Sequence, residues 1–264
     1  MSRSVAKTIA DAKAEGRGVV VGYLPIGFPD LATSVEAAVA LADEGFDILE
    51  LGVPYSDPVM DGPVISRSTQ LALESGFKLK DLFGAIAEIS SRVSIPLLVM
   101  TYWNPVVQYG IERFTRDLLE AGGSGLITPD LVPDEADEWL EVSDRLGAER
   151  VFLAAPSSSD ERLARSIATS RGFVYAVSTM GITGTRQDVD HAAHTLVARL
   201  REHGAESVCV GLGISTGEQV DEVLAYADGA IVGSALVRAL DDGGVDQLRS
   251  TARALTTRRD LPAR

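Results

Sequence analysis

What most restricts the fold of this chain is an alternation. Eight short, densely apolar runs, at 19–25, 47–53, 95–102, 125–131, 150–155, 173–179, 208–213 and 229–234, are separated by segments of helical periodicity. Those segments fall at 34–44, 80–92, 111–121, 134–146, 160–170, 191–203 and 217–226, with a further helix after Ala235. The runs are apolar almost throughout rather than at every second position, so each predicts a strand buried on both faces, as in a parallel sheet covered by helices. Eight consecutive strand and helix units predict closure into a (β/α)8 TIM barrel, with the segment at 6–15 as an extra N-terminal helix plugging its bottom. A doubly wound open sheet is the alternative, but no Gly-x-Gly-x-x-Gly follows the first run. With 264 residues and 45% hydrophobic content, the chain can bury the core of one domain spanning 1–264.

Charge narrows the partners. A net charge of −14 without a basic stripe argues against a nucleic-acid surface and opposes anionic ligands at long range. Any bound phosphate must therefore be captured by backbone N–H groups at short range. Residues 1–7 lack a secretory apolar segment, and the apolar runs are far shorter than the roughly 20 residues that span a bilayer, so a cytoplasmic location away from membranes is expected. Cys209 is the one cysteine and lies in an apolar run, which suits a small core residue in a reducing compartment. The Arg-rich stretch at 249–264 reads as a frayed, solvated tail.

Barrel chemistry sits at the C-terminal ends of the strands, and the unusual residues of this chain fall there. Glu50 lies inside the second run with no cation near it in sequence. Asp61 follows eleven positions on, in a Pro- and Gly-punctuated loop. Tyr102 and Asn104 end the third run, Asp130 ends the fourth, and Tyr175 lies on the sixth. After the seventh and eighth runs come Gly211-Leu-Gly213-Ile-Ser215 and Gly233-Ser234, the latter directly before a helix. Phosphate sites of this fold are usually built there. Gly213 and Gly233 carry no Cβ to block backbone approach, and Ser234 can donate an amide and a hydroxyl. The bland alternative is two tight turns without a ligand. The segment 178–188 is long, small and polar and reads as a mobile lid, from which Thr183 could reach an acid beneath and Gly184 could offer its amide to a phosphate. It could equally be a flexible surface loop.

Absent residue types narrow the reaction. The four lysines, Lys7, Lys13, Lys78 and Lys80, all fall on helices or their approaches, so no strand offers a Schiff-base amine. His191 and His194 share one helical face without a third ligand and read as solvated. Two carboxylates, a phosphate site and no amine or metal cannot easily hold the carbanion of an ordinary aldol cleavage. The substrate must supply its own electron sink, for which a ring that can be protonated at carbon would serve.

Leu-Glu-Leu-Gly-Val-Pro-Tyr-Ser-Asp-Pro-Val-Met-Asp-Gly at 49–62 resembles the signature of the tryptophan synthase α-subunit family, and the similarity extends over nearly the whole chain. Tyr102-Trp-Asn104, Met180-Gly-Ile-Thr-Gly184, Gly211-Leu-Gly-Ile-Ser215 and Gly233-Ser234 support it. The resemblance implies retro-aldol cleavage of indole-3-glycerol phosphate to indole and glyceraldehyde 3-phosphate, the indole ring acting as the sink. It implies Glu50 as general acid and base and Asp61 as the anion facing the ring N–H. Gly184, Gly213, Gly233 and Ser234 would bind the phosphate, Tyr175 would help close the pocket, and Thr183 would bring the lid onto Asp61. Tyr23, Met100 and Leu212 would line the indole pocket, with Tyr102 among the substrate-binding residues. The family often has Phe where Tyr23 and Leu212 stand.

The resemblance also implies a pyridoxal-phosphate β subunit as partner, in a linear αββα (α2β2) assembly that receives the indole, with no cofactor in this chain. Loops at 54–58, 102–110 and 130–134 would present Val106, Val107 and Leu131 at the barrel mouth, either to that partner or packed under the lid. A stand-alone indole-releasing lyase, or an idle phosphate-binding barrel that only regulates a partner, are the rival expectations.

Overall fold

A computed structural model describes residues 3–177, 186–211 and 213–257, without the side chains of 186–190. The strands are β1 (Val19–Pro25), β2 (Ile48–Gly52), β3 (Leu97–Met100), β4 (Gly125–Ile127), β5 (Glu149–Val151), β6 (Leu153–Ala154), β7 (Val174–Val177), β8 (Val208–Gly211) and β9 (Gly229–Val232). All pair in parallel in the order β5-β4-β3-β2-β1-β9-β8-β7-β6. The two ends of that order, β5 and β6, are one strand interrupted at Phe152, so the sheet closes on itself as the expected barrel. The interruption is local, where the Phe152 N–H turns to the Ser170 hydroxyl at 3.3 Å.

The helices are α1 (Val5–Ala14), α2 (Leu31–Asp43), α3 (Pro63–Glu74), α4 (Leu79–Arg92), α5 (Trp103–Tyr109), α6 (Ile111–Glu120), α7 (Asp137–Leu146), α8 (Asp160–Thr169), α9 (Arg186–Glu202), α10 (Gly217–Leu224) and α11 (Ser234–Thr256). Two of them, α3 and α5, lie in connections that the periodicity leaves as loops. Pro63 starts α3 at a position where its missing N–H is not needed. The first N–H of α5, from Trp103, is taken by the Asp130 carboxylate at 2.9 Å, a long-range contact that local sequence does not announce. The segment after Arg249 departs from expectation as well. Up to Thr256 it is the end of α11, held by Arg249 to Asp43 at 3.0 Å and by Arg253 to Glu44 at 3.0 Å.

Two apolar layers follow from the strand periodicity. Outward residues such as Val20, Leu49, Val99 and Val210 pack under the helices, while inward ones such as Val21, Ile48, Leu98, Ile127, Val151 and Cys209 fill the barrel. Cys209 is thus a core residue, as expected. The lower end is closed by α1, whose Val5, Ile9 and Ala12 recur on one face and join the inner layer. Gly125 lets β4 and β5 approach, since a Cβ there would stand 1.8 Å from the Glu149 carbonyl oxygen.

The plug is fastened by a residue of the barrel rim. Ser4 caps α1 by accepting the Lys7 N–H at 3.1 Å, and the Glu149 carboxylate accepts the N–H groups of Val5 (2.8 Å) and Ala6 (3.0 Å) and the Ser4 hydroxyl (2.9 Å). Three donors at a helix N-terminus facing one carboxylate make this a strong anchor. We expect Glu149→Ala to lower the unfolding free energy by roughly 2–4 kcal/mol, measured by urea denaturation, with the barrel retained.

Candidate active site

At the C-terminal end of the barrel a cavity of about 230 Å³ opens between the strand ends and the loop after β2. Parallel register brings its walls together: Tyr23 of β1 lies beside Glu50 of β2, Gly52 beside Met100 of β3, and Leu153 of β6 beside Tyr175 of β7. Tyr23, Glu50, Asp61, Met100, Tyr175, Gly213, Gly233 and Ser234 all line it. Thr183, Gly184 and Leu212 lie outside the described residues, as does most of the segment 178–188. Tyr102 does not line the cavity; it stands behind the Asp61 loop, with its hydroxyl on the Met60 N–H at 2.9 Å. Asn104 reaches the Tyr55 hydroxyl at 3.3 Å, and Asp130 caps α5.

Sequence reasoning passed over Met60, Gly62, Ile65, Pro129, Leu153, Val177, Gly211 and Ile231, which complete the lining. For the strand residues a signal existed. Val177, Gly211 and Ile231 each stand two positions from a residue already singled out, and a period of two keeps them on the same face. Gly52 and Gly211 serve the tyrosines. A Cβ at Gly52 would lie 2.3 Å from the Tyr23 hydroxyl oxygen, and one at Gly211 would lie 2.6 Å from that of Tyr175. Each ring therefore lies across a neighbouring strand where no side chain obstructs it.

Part of the lining, after β8 and β9, is backbone. Gly213 has φ +62° with open space where a Cβ would be, and Ser234, which lines the cavity, is the first residue of α11. Helix N-termini and glycine turns of this kind favour an anion such as phosphate. Among the described residues no Lys or Arg lines the cavity, so there the cradle acts through peptide dipoles.

Glu50 is 1% exposed, and its Oε2 has no hydrogen-bond partner among the described residues. Burial, assisted by the neighbouring Asp61 charge, pushes its pKa to about 8. Asp61 is only half-buried. Burial raises its carboxyl too, while a hydrogen bond from Tyr102 opposes that rise. The site thus holds one carboxyl that keeps its proton at neutrality and a second that burial also raises, with Tyr102 offsetting part of that rise. Such a pair suits an acid working beside an anion. Among the described residues no cluster of His, Cys, Asp and Glu could hold a metal ion, and no helix is long and apolar enough to cross a membrane.

A larger groove of about 900 Å³ lies at the other end of the barrel, beside α1. Of its charged groups, Lys7 pairs with Asp11 at 2.6 Å, Lys13 with the Glu206 carbonyl at 2.7 Å, Arg171 with Asp144 at 3.0 Å, and Glu149 with α1. At the mouth near the candidate site, Val59, Val107 and Val132 are 77%, 47% and 41% exposed. Val106 and Leu131, expected at that surface, are instead buried in the chain's own core.

The raised Glu50 pKa links stability to pH. Between its ordinary value of 4.5 and about 8 the unfolded chain has released this proton while the folded chain still holds it, so stability falls as pH rises through that window. Glu50→Gln removes the penalty. We expect the variant to exceed the parent by roughly 2–4 kcal/mol in urea unfolding at pH 8, with the advantage fading towards pH 4.5.

The chain is similar to known proteins over most of its length. The family described as tryptophan synthase alpha chain matches residues 9–262. The tryptophan synthase alpha chain of Leifsonia xyli subsp. xyli is 67% identical over 245 residues, covering 93% of this chain and 94% of that protein. That of Mycobacterium avium is 55% identical over 241 residues, covering 91% and 89%. A solved structure of tryptophan synthase from M. tuberculosis, in an open form, superposes with a TM-score of 0.89 at 46% identity, covering 97% of this chain and 98% of that one. The tryptophan synthase A-subunit of Pyrococcus furiosus superposes with a TM-score of 0.84 at 35% identity, covering 91% and 98%.

Proposed function

The chain belongs to the tryptophan synthase alpha chain family, and on that premise we propose that the cavity cleaves indole-3-glycerol phosphate, with Glu50 as general acid and base and Asp61 as the anion that stabilises the activated ring. The observation that carries this reading is a buried, protonated carboxyl and a second acid on one cavity that is also lined by glycines and the first residue of a helix. Gly213, Gly233 and Ser234 hold the phosphate, with Gly184 completing the cradle. Tyr23, Met100 and Leu212 pack the indole, Tyr175 closes the wall beside Glu50, and Thr183 brings the lid onto Asp61.

The chemistry follows from the two protonation states. Protonated Glu50 delivers its proton to indole C3, and the ring becomes cationic. Asp61, ionised, stabilises the charge that develops at the ring N–H. The C–C bond to the glycerol chain then breaks and its electron pair returns to the ring, releasing neutral indole. As the 3′-hydroxyl becomes a carbonyl, its proton passes to the Glu50 carboxylate, which regenerates the acid and yields glyceraldehyde 3-phosphate. No amine is needed, because the ring is the electron sink.

We also propose that the chain works as one domain, in the cytoplasm, with a β subunit. That partner would carry the pyridoxal phosphate in an α2β2 assembly, while this chain carries no cofactor. Exposed Val59, Val107 and Val132 around the mouth support docking there. Indole release from indole-3-glycerol phosphate tests the roles. Glu50→Gln and Asp61→Asn should each lose roughly 10²-fold or more in rate, and retained activity in both would overturn the assignment. For the parent chain, turnover should fall as pH rises through about 8, where Glu50 loses the proton it must deliver. Adding a β subunit should raise turnover; a rate unchanged by it would favour a stand-alone lyase.

A further inference from the structure

Tyr102 reaches the site from behind. It follows β3 by two residues, is 5% exposed, and packs its ring on Tyr55 of the loop after β2 with centroids 5.2 Å apart. Its hydroxyl oxygen accepts the Met60 N–H at 2.9 Å. That bond ties down a segment whose Asp61 carbonyl is also held by the Ser66 hydroxyl at 3.2 Å. The loop leaves the barrel at Val53, whose N–H reaches Met100, and joins α3 at Gly62, whose carbonyl takes the Ser66 N–H. Between these points, among the described residues, the backbone is tied to the barrel at Tyr102.

A phenol that accepts through its oxygen still has one proton to place. The carboxylate next along the loop from Met60 is Asp61, one residue away, and the Tyr102 hydroxyl is the group that works to lower its pKa. We propose that Tyr102 is a positioning residue for Asp61: by seating the Met60 amide and directing its own O–H to the adjacent carboxylate, a single hydroxyl fixes where that carboxylate stands over the cavity. Its effect on turnover rests on the role given to Asp61 above, whereas the contact itself does not.

The groups around Asp61 make the consequence readable. Glu50 faces it from β2 and Tyr23 from β1, Asp130 acts on Tyr102, and among the described residues no Lys or Arg lines the cavity. Burial drives the Asp61 carboxyl upward and Tyr102 is the group that opposes it. A hydrogen bond to the charged form favours that form, so losing it moves the ionisation of Asp61 to higher pH.

The test is Tyr102→Phe, which keeps the ring against Tyr55 and removes the hydroxyl. With aspartate carboxyls labelled with carbon-13, the Asp61 titration midpoint should rise by about half a pH unit or more, and the acid limb of kcat/KM should move up with it. The rate should fall about ten-fold with KM within about two-fold, while the alkaline limb set by Glu50 stays in place. Tyr55→Leu disturbs the ring packing but spares the hydroxyl, and should leave the acid limb where it is. An Asp61 midpoint and acid limb coinciding with those of the parent overturn the proposal, whatever happens to the rate. A parent chain that releases no indole would sink the lyase reading instead, and the carboxyl titration would still decide on Tyr102.

Discussion

One unpaired carboxyl in the interior of a barrel governs much of this molecule. Glu50 points into the same space as Leu98 and Ile127, with no cation among the described residues that line the cavity, so the folded chain keeps it protonated well above the usual carboxylate range. Other buried charges of the chain are treated differently. Asp228 takes Arg201 and the Val208 N–H, and Asp47 takes Arg17 and the Val20 N–H. Both belong to the rim at the opposite end, where pairing supports structure. Among the described residues the buried carboxylate oxygen left without a partner is Glu50 Oε2, at the mouth, where the proposed reaction hands a proton to the ligand.

The two ends of the barrel therefore divide the labour. At the lower end α1 fills the barrel with Val5, Ile9 and Ala12 and is fastened through Glu149, so this end gains stability from packing and satisfied donors. At the upper end the inward positions change from aliphatic to Tyr23, Glu50, Met100 and Tyr175, with Gly52 and Gly211 leaving room for the rings. The resulting void could be filled by better packing only by losing the space for a ligand. Peptide dipoles at Gly213 and Ser234 suit an anion in a chain whose net charge is −14, because they act at short range and need no cationic side chain.

Much of this was legible in the sequence. Near-continuous apolar runs separated by helical periods admit few closed arrangements, so barrel, plug helix and the end that bears the chemistry could be read from spacing. Glu50 stood out because an acid in a strand buried on both faces needs a reason, and the glycine turns stood out because of their paired positions before a helix. Less legible were features set by contacts distant in sequence. The helix at Trp103 depends on Asp130, and the order of the residues after Arg249 depends on Asp43 and Glu44. Val106 and Leu131 sit in loops, where burial has no periodic signature, and they proved to be core.

The sequence by itself determined the fold class and the chemical types available at one end of it, because periodicity fixes which way side chains face and composition fixes what they can do. Tertiary structure alone decided the working state of those groups. Parallel register set Tyr23 beside Glu50, the return of the loop after β2 brought Asp61 over the cavity, and Tyr102 came to stand behind Asp61 with its hydroxyl on the Met60 amide. Solvation, neighbouring charge and hydrogen bonding set which carboxyl keeps its proton, and all three depend on distances across the fold.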